Sequence, residues 1–190
     1  RQIAQEYQSK YDDDIVLVLC DNKLRELYRN VEEGRGLSFV TTSDTAGRTA
    51  YRRSMSMMMQ KALDIIRKGK KAGIRVYHSI SQGYFCRLEG EIPLDKTFLL
   101  NLKLEMLKLS DDKIPIKKTQ WSTDKARDLY KGWGMNDREV LLKYRASSQM
   151  NVYEIEGYFD YYYGYMVPDT GYLKYFDLEL YEDGFVLLFP

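Results

Sequence analysis

The sequence holds one histidine, His78, in 190 residues, and that scarcity removes whole classes of chemistry. A serine, histidine and acid triad cannot be assembled convincingly around a single base. A paired-histidine site is excluded outright, and a lone histidine between a strand and a turn reads as structural. Cysteine is nearly as sparse: Cys20 and Cys86 are the only two, each inside an apolar or aromatic strand pattern. Buried free thiols fit that setting better than a disulfide, and a reducing, cytoplasmic compartment follows. No charge sign dominates, with 29 basic against 28 acidic residues and a net charge of +1. Strong free-standing nucleic-acid binding normally needs a basic excess or stripe. The longest apolar runs, Ile15–Cys20 and Phe185–Phe189, are too short to span a membrane. The residues at hand read as carrying no signal peptide, and no internal repeat or low-complexity segment is seen in them. Neither G-x-x-x-x-G-K-[ST] nor G-x-G-x-x-G occurs, so the sequence has no loop built to cradle phosphates.

What is present is a globular balance, 44% hydrophobic and 30% charged, enough for one ordinary domain or two small ones. Arg1 to Lys10 reads as a short helix. Ile15–Cys20 reads as a buried strand, Asp21-Asn22 as a two-residue turn and Lys23–Tyr28 as the return strand. A turn at Glu32 to Gly34 precedes a strand at Leu37–Thr41. Ser43 to Thr49 is the expected linker into the longest helix, Thr49 to Lys68, with an apolar stripe of Tyr51, Met55, Met58, Ala62, Ile65 and Ile66. Arg53 and Met57 share another face, which helical spacing places well away from that stripe. Ile74–His78 and Tyr84–Glu89 form two strands around the turn at Ser81 to Gly83. Asp95 is an N-cap candidate for a helix whose buried stripe is Phe98, Leu99, Leu102, Met106 and Leu109. Ile114–Lys118 is a strand, and Ser122 or Thr123 caps a short helix to Lys131. Strands follow at Val140–Arg145, Met150–Glu156, Tyr158–Gly164, Lys174–Leu180 and Gly184–Phe189. The fold class is α+β.

One stretch stands out: Tyr158 to Lys174, YFDYYYGYMVPDTGYLK, crowds aromatics against a Val-Pro-Asp-Thr-Gly turn. It resembles the end of the editing domain of threonyl-tRNA synthetases, where a segment of the form D-x-C-x-G-P-H-V-P-x-T-G-x-[LF]-K carries a cysteine and a histidine. Asp160, Gly164, Val167, Pro168, Thr170, Gly171 and Lys174 keep that frame. Tyr162 stands at the cysteine position and Met166 at the histidine position. Earlier, Tyr51 to Met57 is similar to the family's Y-R-H-S-x-x-H, with Arg53 and Met57 at its two histidines. IAQEY and VLCDNKLREL resemble the small TGS domain that opens those synthetases, and the family's first hairpin would lie before Arg1. The resemblance thus implies a partial β-grasp, TGS-like segment over residues 1–42. A threonyl/alanyl-tRNA synthetase editing-like α+β domain follows over 43–190, stripped of its reactive groups.

Methionine moves no protons and arginine stays protonated, so no catalytic residue is expected at this site. Asp160 is a lone carboxylate, better suited to a structural hydrogen bond. Two thioethers, a phenol and a guanidinium do not bind zinc, so no metal is expected either. The candidates left in the former editing cleft are ligand-binding ones: Arg52, Arg53, Met57, Asp160, Tyr162 and Met166. Guanidinium and tyrosine faces can stack a base and hold a phosphate. The plainer alternatives are that Met57 packs and that the tyrosines cover a half-buried sheet. The whole chain, most of all Tyr51–Ser54, SISQGYF and Gly164–Pro190, is also similar to the N-terminal region of bacterial uridine kinase-like proteins. That likeness implies a C-terminal P-loop kinase in the same chain, using ATP and Mg, with this region as a non-catalytic accessory or recognition module for nucleotide or RNA. The start at Arg1 and the stop after an apolar strand fit an excised piece. A tRNA or nucleotide ligand and a homo-oligomer are the partners to test. An aminoacyl-tRNA deacylase with unusual residues and a purely structural or oligomerisation domain are the alternatives.

Overall fold

The computed structural model describes residues 1–32, 34–132 and 149–190. It is an α+β chain whose described residues form three separate antiparallel sheets in two compact units, residues 1–116 with 164–190 and residues 117–163.

The larger unit opens with α1 (Gln2–Tyr7), followed by a short 3-10 turn. Three strands come next: β1 (Ile15–Cys20), β2 (Lys23–Glu26) and β3 (Leu37–Thr41), in the order β2-β1-β3. Asp21 and Asn22 take φ of 48° and 62°, the left-handed pair that a two-residue hairpin of matching twist requires. Strand β2 stops two residues short of the expected end because the chain turns there, Arg29 N–H donating to the Glu26 carbonyl at 3.2 Å. Ala4, Ile15, Val18 and Leu27 form a small core, with Leu37 and Phe39 packed against it.

Helix α2 (Thr45–Ile66) begins four residues before the expected start, leaving almost no linker. Asp44 explains this by bonding backwards: its carboxylate accepts from the Thr41 N–H at 2.8 Å and from the Thr41 hydroxyl at 3.1 Å. The first helical turn is thereby pulled onto β3. Gly47 makes the approach possible, since a Cβ there would lie 1.8 Å from the Thr41 carbonyl oxygen. Burial also differs from the single expected stripe. Every residue from Ser54 to Met59 is buried, Met57 included, whereas Ile65 is exposed. A helix enclosed on several sides loses the amphipathic pattern that periodicity detects.

Strands β4 (Ala72–Ile80) and β5 (Gly83–Gly90) form the expected hairpin, with a register shift between Val76 and His78. Helix α3 (Lys96–Asp111) starts at Asp95, whose carboxylate accepts from the Phe98 N–H at 2.7 Å. Its inward residues Phe98, Leu99, Leu102, Met106 and Leu109 are all buried, as their spacing predicts. The strand expected at Ile114–Lys118 is displaced. Ile114 and Ile116 exchange backbone bonds with Thr170 and Pro168 instead, and Pro115 bridges Asp169.

The smaller unit contains β6 (Lys117–Ser122), α4 (Thr123–Gly132), β7 (Gln149–Ile155) and β8 (Tyr158–Tyr161), with sheet order β6-β7-β8. Ala126, Met150 and Val152 form its core, flanked by Trp121, Phe159 and Tyr161. The strand expected at Val140–Arg145 lies outside the described residues, and β8 ends before the expected Gly164. The chain then returns to the larger unit with β9 (Asp177–Tyr181) and β10 (Gly184–Leu188), completing the sheet β4-β5-β10-β9. Strand β9 begins later than Lys174 because the Tyr175 backbone is held by the Tyr51 hydroxyl, accepting at 3.0 Å and donating at 2.8 Å. Among the described residues no helix is long and apolar enough to cross a membrane.

Candidate functional site

The Gly164–Gly171 turn is fixed peptide by peptide. A buried backbone N–H or C=O without a partner is costly, so an irregular buried segment needs side chains to serve it. The Tyr165–Met166 peptide is held at both ends. Arg53 donates to the Tyr165 carbonyl at 2.7 Å, and the Met166 N–H donates to the Glu26 carboxylate at 3.2 Å. The next N–H, of Val167, donates to the Ser54 hydroxyl at 3.0 Å, and Ser54 donates to the Ala50 carbonyl at 2.8 Å. Thr170, fully buried, donates to the Leu109 carbonyl at 2.5 Å and accepts from the Ile114 N–H at 2.8 Å. Asp169 closes the turn by accepting from the Gly171 N–H at 2.9 Å. The Arg53 guanidinium lies flat against Gly164, whose φ is 121°. A Cβ there would come within 2.6 Å of the guanidinium carbon.

Glu26 is the residue that sequence reading missed. Only 4% exposed, it also accepts from the Tyr28 hydroxyl at 2.8 Å. Burial, and then this bond, raise the Tyr28 phenol above its ordinary value. The available signal was a carboxylate two residues after Leu24 on an alternating strand, and so on the same face.

The six sequence candidates take different places. Arg53 holds the turn, and Met57 and Met166 are buried at 0% and 2% exposure, with the Met166 sulfur 3.3 Å from the Ser54 hydroxyl. Arg52, next to Arg53, points elsewhere and lies over the Phe189 ring at 5.2 Å. Asp160 and Tyr162 belong to the smaller unit. The buried Asp160 carboxylate there accepts from the Tyr161 N–H at 2.6 Å and the Tyr158 hydroxyl at 3.5 Å. Tyr162 is half-buried just beyond β8. His78 is exposed on β4 and packs on Phe85, with ring centroids 5.3 Å apart. Both cysteines are free thiols. Cys86 is buried, which pushes its thiol up to about 12, while Cys20 is only half-buried. Among the described residues no group of three or more His, Cys, Asp or Glu side chains is arranged to hold a metal.

Arg52 leads to a second feature, a cleft of about 470 Å³ beside the first half of α2. Arg48, Arg52 and Lys174 line it, as do Asp12, Asp13 and Asp14, with aromatic surface from Tyr172, Tyr175 and Phe189. The buried Tyr51 phenol, pushed up to about 12 by desolvation, anchors one wall through the Tyr175 backbone.

No family model matches the chain. It is similar to threonine–tRNA ligases: that of Oceanobacillus iheyensis is 24% identical over 85% of this chain and 25% of the ligase. For Halorhodospira halophila the figures are 24%, 94% and 28%, and for Bacillus velezensis 26%, 80% and 24%. The chain is thus distantly related to threonyl-tRNA synthetases, and it spans about a quarter of the length of these relatives.

Proposed function

We propose that this chain is a recognition module derived from the synthetase editing region, binding nucleotide or RNA without hydrolysing an ester. The observation that carries the reading is what stands at the expected reactive positions. Arg53 is engaged with a backbone carbonyl, and Met57 and Met166 are enclosed apolar side chains. None of the three can take a proton from water at workable pH. The synthetase relationship supplies the nucleic-acid context, and the cations and rings around α2 supply binding chemistry. In the finer form of this reading the module serves a uridine kinase-like domain of the same cytoplasmic chain, which would bring its own ATP and Mg.

The test is a deacylation assay with seryl-tRNA and threonyl-tRNA, run beside equilibrium binding of nucleotides and RNA. The expected result is ester loss at the spontaneous rate together with measurable binding. Deacylation that disappears in Asp160→Ala would falsify the reading and restore the hydrolase. Sequencing the native polypeptide past Pro190 tests the kinase: a G-x-x-x-x-G-K-[ST] loop after a strand supports it.

An oligomerisation platform is the second reading, and α3 favours it. Leu100, Leu104 and Leu107 lie on one face at 55%, 54% and 36% exposure. Lys96 begins that face and Asp111 ends it, so a second copy of this chain packed antiparallel sets each lysine against its partner's acid.

A further inference from the structure

We infer that the cleft beside the first half of α2 binds a ribonucleoside 5′-monophosphate. This rests on the recognition reading and gives it a place and a ligand class. The volume, about 470 Å³, is that of a small-molecule site. Its charges are the informative part. Three cations and three carboxylates line one space, yet among the described residues none of the six side chains is in an ion pair. The architecture keeps them apart. Arg48 is tied to the Ser43 carbonyl at 2.6 Å, Arg52 lies on Phe189, and the Asp14 backbone is tied to the Thr42 N–H at 3.0 Å.

Each group then states what it lacks. The guanidiniums and the ammonium are donors only and want an anion. The carboxylates are acceptors only and want donors. Tyr175, 66% exposed, offers a ring face. A phosphate on the cationic side, a ribose cis-diol on the carboxylate side and a base on the aromatic wall meet all three needs. The lining charges sum to zero, which disfavours ligands with many anionic groups. A triphosphate or an RNA strand meets more repulsion from the three carboxylates than a single phosphate held on the cationic side.

The test is calorimetric titration of the 190-residue protein with AMP, UMP, CMP and GMP, then with the 2′-deoxy form of the best binder, ATP and a single-stranded RNA oligonucleotide. At least one monophosphate is expected to bind more tightly than ATP. Arg52→Ala and Lys174→Ala should each weaken it about tenfold, the loss of one charge-assisted contact. Asp13→Asn and the deoxy ligand should each weaken it about fivefold. Arg53→Ala should leave it within about twofold, because Arg53 faces the Gly164 turn. Lys174 and Asp13 are exposed, so their variants keep the test valid if Arg52→Ala melts early. Monophosphate binding that survives Arg52→Ala and Lys174→Ala but is lost in Arg53→Ala overturns the location and leaves the recognition reading standing. RNA or ATP binding without monophosphate binding overturns the ligand class alone. Absence of binding by every probe overturns both.

Discussion

Arg53 shows how one residue can be legible in type and opaque in role. Its position by the signature resemblance was plain, but its use as a prop for the Tyr165 carbonyl needs a contact across 112 positions. Gly164 is the other half of that contact. Gly164→Ala puts a side chain at φ 121° and against the guanidinium, and should cost about 1–3 kcal/mol in urea unfolding. An unchanged midpoint would mean that the guanidinium swings away freely. The cysteines divide by burial in the same way. A thiol reagent at neutral pH should label Cys20 and spare Cys86 until the protein unfolds. The linked pH effect has a definite sign. The Cys86 thiol is raised from 9.0 to about 12, so its contribution is intact below pH 9 and declines as pH rises toward 12, where the unfolded chain alone forms thiolate. Tyr51 adds a similar loss, starting from its ordinary 10.0. Cys86→Ala should flatten the part of the alkaline decline between pH 9 and 10.

At the scale of elements, strands and helices with local causes were readable. The Asp21-Asn22 hairpin and the Asp95 cap depend on residues within a few positions of one another. Asp95→Ala should cost about 1 kcal/mol by thermal unfolding, the usual worth of a side-chain N-cap. Elements with distant causes were misplaced. The displaced strand at Ile114 was given by its apolar pattern, yet its backbone partners sit at Pro168 and Thr170. The early start of α2 was hidden because its first turn, Thr45 to Arg48, falls inside the stretch expected as linker. Gly47→Ala separates a free first turn of α2 from one packed on β3. In a free helix the change stabilises by about 1 kcal/mol. Here the new Cβ would meet the Thr41 carbonyl oxygen at 1.8 Å, so a loss of about 1–3 kcal/mol is expected, measured by chemical denaturation.

For the molecule as a whole, the question is what the residues at the signature positions do in this fold. Met57 and Met166 are packed and Arg53 props a backbone carbonyl, while six charged side chains, in no ion pair among the described residues, line the cleft beside α2. Leu104→Glu tests association at this scale. If copies meet through α3, the wild-type mass in sedimentation should rise with concentration and the variant should remain at 22.4 kDa. A wild-type chain that stays at monomer mass throughout removes that reading. The sequence by itself determined the α+β class, most strands and both long helices, because periodicity and turn chemistry act over a few residues. It also determined the synthetase likeness, carried by a contiguous run of frame residues, and which residue types stand at the signature positions. Tertiary structure decided the rest. It enclosed Met57, turned Arg52 and Arg53 in different directions, brought Glu26 to a peptide 140 residues away and held six charges apart around one cleft. Those outcomes depend on long-range packing, and no local pattern records which buried backbone group a side chain will serve.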